Sequence, residues 1–197
     1  MPITFHDADE IAQLGLAAFL HIPSPLPNSA MRYGALFIIN ARGEPQEFGY
    51  NRLELQQPVL WRALDREQAA IRRLARSLFE AATLTPALLF CRADVVGPHV
   101  FGAGDGLQLA IPVLRLAPAG AMLGYAGGET CETVESVDEH GECHDLLLFW
   151  TPRPPDGPVA ALFTRLLERG LTLEPFARAQ QGLREIYGEL WPEEGAP

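Results

Sequence analysis

The order of short apolar segments in the first half of the chain constrains its fold more than any other feature. Residues 33–40 are rich in aromatic and β-branched side chains, which is typical of a buried strand. A turn cluster at 41–45 separates them from the partly polar segment 46–55, so the pair predicts a hairpin. Residues 13–22 form an earlier apolar run, which predicts a strand or the end of a short helix, and residues 86–92 predict an interior strand.

A long amphipathic helix is predicted between these strands, over residues 58–82. Pro58 suits the first helical position. Six residues at helical spacing then share one stripe: Leu60, Leu64, Glu67, Ile71, Leu74 and Leu78. A three-strand meander followed by a helix and a return strand is the opening order of the ribonuclease H-like fold, which this chain resembles in topology.

The second half of the chain predicts a further strand, a second hairpin and two helices. The strand covers 107–117, where Pro112 indicates an edge or a bulge, and the hairpin covers 124–150. Asp156 is expected to cap a helix that begins at Gly157 or Pro158 and is stopped by Gly170. The last helix begins near Pro175 and is expected to bury Phe176, Ala179, Leu183, Ile186 and Leu190.

These elements predict an α/β or α+β protein with a mixed sheet covered by helices. The sequence contains no internal repeat and no long linker, so we expect a single domain over residues 1–197. Its parts would be a mixed sheet with the long helix at 1–123, an acidic hairpin at 124–150 and C-terminal helices at 156–191.

The basic residues exclude several reaction classes. All 15 are arginine, and the chain contains no lysine. A phosphate-loop NTPase needs a lysine on the β- and γ-phosphates, and Schiff-base chemistry needs a lysine nucleophile. Protein kinases and Ser-x-x-Lys hydrolases are excluded for the same reason.

The net charge of −10 is concentrated toward the C-terminus. Residues 1–128 carry 11 acids and 10 arginines, a balance of −1, whereas residues 129–197 carry 14 acids and 5 arginines, a balance of −9. This acidity argues against free-standing nucleic-acid binding and allows it only within a complex. Three cysteines, no secretory segment and no long apolar run predict a soluble, cytoplasmic protein without membrane contact.

Glu67 and Asp94 are the candidate catalytic residues. Glu67 lies on an apolar stripe, where a carboxylate is costly unless it is paired, so it either meets an arginine at the core boundary or binds a metal. The resemblance to ribonuclease H-like nucleases implies acids on the first strand, the first helix and the fourth strand around Mg²⁺ or Mn²⁺. Glu67 and Asp94 would supply the last two. The acid on the first strand is missing, and the nearest candidate for its place is the neutral Asn40. The resemblance therefore implies a dead or repurposed site. We expect no cofactor in such a site, and the alternative is a site that binds Mg²⁺ or Mn²⁺.

Two segregated charged surfaces favour a function in binding. The predicted helix carries Arg62, Arg66, Arg73 and Arg76 on its back, which is either a solvated face or a docking face for an acidic partner. The acidic hairpin carries Glu132, Glu135, Asp138 and Glu139 among its acids. With no complete catalytic set, the main hypothesis is a non-catalytic interaction subunit that binds a protein partner through these surfaces. The alternatives are a metal-dependent nuclease or phosphodiesterase that uses Glu67 and Asp94, and a small-ligand binder that uses the loop 97–106.

The remaining candidate groups give weaker signals. His140 and His144 could bind zinc with neighbouring acids, but Cys131 and Cys143 are expected to lie about 15–20 Å apart along the hairpin, too far for one ion. Cys91 lies inside a predicted buried strand and is expected to be an inert thiol.

Overall fold

Seven strands form one mixed sheet in the computed structural model, which describes residues 13–24, 30–55, 62–101, 106–121, 123, 128–137 and 143–188. The strands are β1 (Leu16–His21), β2 (Met31–Asn40), β3 (Pro45–Glu54), β4 (Leu88–Arg92), β5 (Val113–Pro118), β6 (Thr130–Val137) and β7 (Cys143–Thr151). Their order across the sheet is β3-β2-β1-β4-β5-β7-β6. The α/β class with a mixed sheet is therefore confirmed.

The predicted meander, helix and return strand are all present. β1 is antiparallel to β2, and β2 is antiparallel to β3, so residues 16–54 form the meander. β4 returns beside β1 and runs parallel to it, and β5 runs parallel to β4. The carboxyl ends of β1, β4 and β5 consequently lie along one edge of the sheet, which we call the carboxyl edge.

The long helix, α1 (Ala63–Ala81), begins later than the predicted residue 58. Ile71, Leu74 and Leu78 are buried against the sheet as predicted. Leu64, in the first turn of α1, is 66% exposed, so the part of the apolar stripe that packs on the sheet begins after this turn. Pro58 and Leu60 lie outside the described residues.

The strands alternate their side chains between two separate cores, one on each face of the sheet. The α1 face contains Ala18, Leu20 and Leu36 packed on α1. The opposite face contains Phe19, Phe37 and other large side chains. Because the central strands are buried on both faces, their sequences are nearly continuous runs of apolar residues.

The opposite face is covered by α2 (Pro158–Glu168) and α3 (Glu174–Tyr187). Gly157 is the N-cap of α2 and makes no side-chain cap hydrogen bond, so the prediction that Asp156 caps this helix is wrong. On α3, Phe176, Ala179 and Leu183 are buried as predicted. Ile186 is 41% exposed, and Leu190 lies outside the described residues.

The second hairpin pairs β6 with β7 as antiparallel neighbours. Cys131 lies opposite Phe149, and Cys143 lies opposite Val137, so the two thiols lie at opposite ends of the hairpin. Both are free cysteines. Among the helices of the described residues, none is long and apolar enough to span a bilayer.

Candidate functional site

His21 ends β1 at the carboxyl edge and lies on the α2–α3 face. Its side chain is buried, its ring lies 6.2 Å from that of Phe176, and its Nε2 donates a 2.6 Å hydrogen bond to Oε1 of Gln180 on α3. Burial is the largest influence on the pKa of His21 and lowers it, so the imidazole is neutral at pH 7. Its Nδ1 is buried without a hydrogen-bond partner among the described residues.

Asp94 follows β4 and forms an ion pair with Arg92, the last residue of that strand. Nη2 and Nε of Arg92 donate to the two carboxylate oxygens over 2.7 and 3.1 Å. The hydrogen bond with Asp94 raises the pKa of Arg92, and both residues influence the pKa of His21, Arg92 by lowering it and Asp94 by raising it. The two side chains are about half exposed, and an ion pair of this kind contributes about 0–1 kcal/mol to stability.

Glu67, in the first half of α1, is held by Arg32 on β2. Nε and Nη2 of Arg32 donate to its two carboxylate oxygens, with shortest distances of 2.8 Å. Arg32 is buried and Glu67 is 28% exposed, so the pair closes the boundary of the core on the α1 face. This is the alternative in which the carboxylate on the apolar stripe meets an arginine.

Glu67 and Asp94 therefore belong to separate ion pairs. Arg32 alternates with Tyr33, whose ring contacts Tyr187 on the α2–α3 face, so Arg32 and its partner lie on the α1 face. Arg92 alternates with Cys91, which is part of the α1-face core, so Arg92 and its partner point toward the other face.

A divalent metal ion does not fit this arrangement. Both oxygens of Glu67 and both oxygens of Asp94 already accept hydrogen bonds from arginine. β1 contributes the neutral ring of His21 to the carboxyl edge, where the ribonuclease H-like resemblance implies an acid. In the part of the chain that the structure describes, no group of three or more His, Cys, Asp or Glu side chains could hold a metal ion. We therefore derive no catalytic step through Mg²⁺ or Mn²⁺.

The four arginines predicted on the back of α1 differ in their surroundings. Arg62 pairs with Asp65 over 2.8 Å, and Arg66 is half-buried. Arg73 and Arg76 are exposed. Three of the four arginines are thus exposed, and whether they dock an acidic partner stays a prediction.

Glu132, which the sequence placed on an acidic docking surface, is bound within the protein. Its carboxylate accepts a 2.7 Å hydrogen bond from Nε1 of Trp150 and pairs with Arg153 over 2.8 Å. Glu135 and His144 are exposed. Asp138, Glu139 and His140 lie outside the described residues.

Arg115 on β5 and Glu129, the residue before β6, form a further ion pair within the protein. Their side chains are 2% and 1% exposed, and Nε of Arg115 donates to Oε1 of Glu129 over 2.8 Å. One acid of the acidic segment is thus wholly buried.

Sequence reasoning missed His21, Gln180 and Arg32. His21 was detectable as the titratable side chain near the end of the apolar segment 13–22. Gln180 and Arg32 gave no local signal, because each acquires its role from a partner far away in the sequence: the His21–Gln180 and Arg32–Glu67 contacts span 159 and 35 residues.

No family model matches this sequence, and no curated protein matches it. The solved structures that resemble it include the catalytic domain of human endonuclease V, with a TM-score of 0.55, 13% identity and coverage of 94% of this chain and 89% of that one. Endonuclease V of Ciona intestinalis, solved with a 24-mer DNA containing an inosine followed by a ribo-adenosine, gives a TM-score of 0.52 at 9% identity and covers 90% and 87%. At these identities the similarity establishes the fold, and the ribonuclease H-like topology is confirmed.

The prediction of a non-catalytic interaction subunit is wrong. The structures that resemble this chain over about nine-tenths of its length are structures of endonuclease V. Charged groups on which the prediction depended are also engaged internally, as Arg62 is with Asp65 and Glu132 is with Trp150.

Proposed function

We propose that this protein acts on nucleic acid as a nuclease-type domain, with the carboxyl edge of β1 and β4 as its working surface. The observation that carries this proposal is the similarity of nearly the whole chain to endonuclease V catalytic domains. In open α/β sheets the carboxyl ends of the strands are the usual place for ligands. His21, Arg92 and Asp94 supply polar groups at this edge.

The nucleic acid itself, without an intervening protein, is the partner in this proposal. The acidic balance of the chain lies in residues 129–197, whereas residues 1–128, which contain β1, α1 and β4, are nearly neutral at −1. A nearly neutral half with several arginines can approach a phosphate backbone that the acidic half repels. We further propose a single domain over residues 1–197 and a cytoplasmic location, the latter supported by the exposed free thiols of Cys131 and Cys143.

Direct binding of nucleic acid without cleavage is a second candidate, distinct from the rejected docking of a protein partner, and the ion pairs favour it. Arg32 and Arg92 neutralise the two carboxylates that a metal-dependent nuclease would need. In such a protein the fold still binds nucleic acid, and the two carboxylates stabilise the structure through their ion pairs with arginine.

Cleavage assays on end-labelled single- and double-stranded DNA and RNA, with Mg²⁺ or Mn²⁺ and with EDTA, decide between the two candidates. If the protein is a metal-dependent nuclease, Glu67→Gln lowers the cleavage rate by at least about 10²-fold, a loss of about 2.7 kcal/mol in transition-state stabilisation. Glu80→Gln, the same change at an exposed position of α1, leaves the rate unchanged and serves as the matched control.

Each remaining outcome of these assays has a defined meaning. Binding in EDTA with no cleavage under any condition selects the second candidate. Neither binding nor cleavage with any of the four substrates contradicts the proposed function. Glu67→Gln removes the negative charge that pairs with the buried Arg32 and so also lowers stability. Thermal unfolding of each variant therefore shows whether a lower cleavage rate results from loss of the folded state.

A further inference from the structure

A small cleft lies between α1 and the loop that follows β4. Gln68 and Arg72 line it from the helix, one turn apart, and Gly97, His99 and Val100 line it from the loop. Gln68 is the neighbour of Glu67 in the chain, so the cleft lies on the α1 face near the Arg32–Glu67 pair. A Cβ built at Gly97 meets no atom within 4 Å, which leaves the loop side of the cleft open to solvent.

The lining groups of the cleft suit an anion. Arg72 is half-buried and His99 is exposed, and no carboxylate lines the cleft. The Arg72 guanidinium offers a planar set of donors that matches a phosphate, and both the Gln68 amide and the His99 ring carry N–H donors.

Arg72 has no acidic partner among the described residues, a property that it shares with Arg66, Arg73 and Arg76 of the same helix, but of these four arginines only Arg72 lines the cleft. Arg32 pairs with Glu67, Arg62 with Asp65, Arg92 with Asp94, and Arg115 with Glu129. A half-buried arginine without an acid nearby keeps its positive charge uncompensated, and such a charge favours an incoming anion.

We propose that this cleft binds one phosphate of a nucleic-acid backbone directly, without a metal ion. Arg72 contributes the charge and a two-point hydrogen bond, and His99 and Gln68 each donate one further hydrogen bond. This proposal rests on the proposed function, because it assigns the anchoring of the nucleic acid to a particular place at the carboxyl edge. It also explains how a nucleic-acid backbone can bind without a metal ion, although arginines already neutralise Glu67 and Asp94.

Fluorescence anisotropy of a labelled single-stranded DNA, in EDTA and at several salt concentrations, tests the proposal. We expect Arg72→Gln to weaken binding about tenfold and to reduce the slope of log K against log salt by about one phosphate contact. Arg76→Gln removes the same charge from an exposed position of the same helix outside the cleft, and we expect it to change affinity by less than about twofold.

Two further variants separate charge from geometry. Arg72→Lys keeps the charge and loses the planar donor pair, so we expect it to retain the salt dependence and to lose part of the affinity. His99→Gln changes an exposed loop residue without risk to the core, and we expect a smaller loss of affinity than for Arg72→Gln.

The outcomes distinguish this inference from the proposed function. If Arg72→Gln and Arg76→Gln weaken binding equally, or if neither does, the cleft is not the phosphate site, although the protein still binds nucleic acid. If the wild type binds only when a divalent ion is present, the metal-free site is contradicted while the proposed function stands. If the wild type neither binds nor cleaves, the proposed function fails, and this inference fails with it.

Discussion

Glu67 shows, at the scale of the residue, how one contact decides what a carboxylate can do. A glutamate on an apolar helical stripe is expensive to bury, so it must find a cation, a metal ion or a proton. Arg32 supplies the cation and occupies both carboxylate oxygens. The ion pair between Arg92 and Asp94 is weaker than the Arg32–Glu67 pair, because both of its side chains are half exposed.

His21 gives a residue-scale prediction for the dependence of stability on pH. Its pKa in the folded protein is lowered chiefly by burial, below the ordinary value of about 6.5. The unfolded chain therefore takes up a proton at a higher pH than the folded protein does. The contribution of His21 is complete above pH ~6.5 and is lost as the pH falls from there through the folded-state pKa.

Urea denaturation at pH 7.5 and at pH 5.5 measures this effect. We expect the wild type to lose more stability over this interval than His21→Gln, whose side chain does not titrate. His99→Gln serves as the control, because His99 is exposed, and this variant is expected to keep the wild-type pH dependence. An equal loss in the wild type and in His21→Gln would show that burial of this histidine is not linked to folding.

At the scale of the element, the succession of strands and helices along the chain follows from local pattern, although β5 begins at Val113, six residues after the predicted start at 107. β6 lies inside the segment 124–150 that was predicted as a hairpin, because its polar and apolar residues alternate. The start of α1 could not be predicted, since Leu64 continues the apolar spacing into a turn that lies outside the core. The site was the least predictable part, because Gln180 reaches His21 only when α3 packs across the sheet.

The connection between β5 and β6 carries an element-scale prediction. Arg115 on β5 reaches past β7 to Glu129, which immediately precedes β6, and its guanidinium lies 5.1 Å from the centre of the Phe149 ring. Glu129→Ala leaves the buried Arg115 without this carboxylate, so we expect a loss of about 3–5 kcal/mol in the free energy of unfolding.

Equilibrium urea denaturation of Glu129→Ala checks this value. Glu135→Ala is a suitable control, because it removes an exposed acid from β6 and is expected to change stability by less than about 0.5 kcal/mol. A loss below about 1 kcal/mol for Glu129→Ala would mean that the pair is not needed to hold the second hairpin on the sheet.

At the scale of the whole molecule, the uneven charge divides the sequence into a nearly neutral part and an acidic part. The half that contains β1, α1 and β4 is close to neutral, and the half from residue 129 onward carries −9. Under the proposed function, we therefore expect a phosphate backbone to bind at the carboxyl edge and not along β6 and β7.

Hydrogen exchange with and without a saturating single-stranded oligonucleotide tests this account most directly. We expect slower exchange around Gln68 and Arg72 on α1 and in the loop at 93–101, with no change across β6 and β7. Protection confined to β6 and β7, or no protection anywhere in the presence of DNA or RNA, would contradict it.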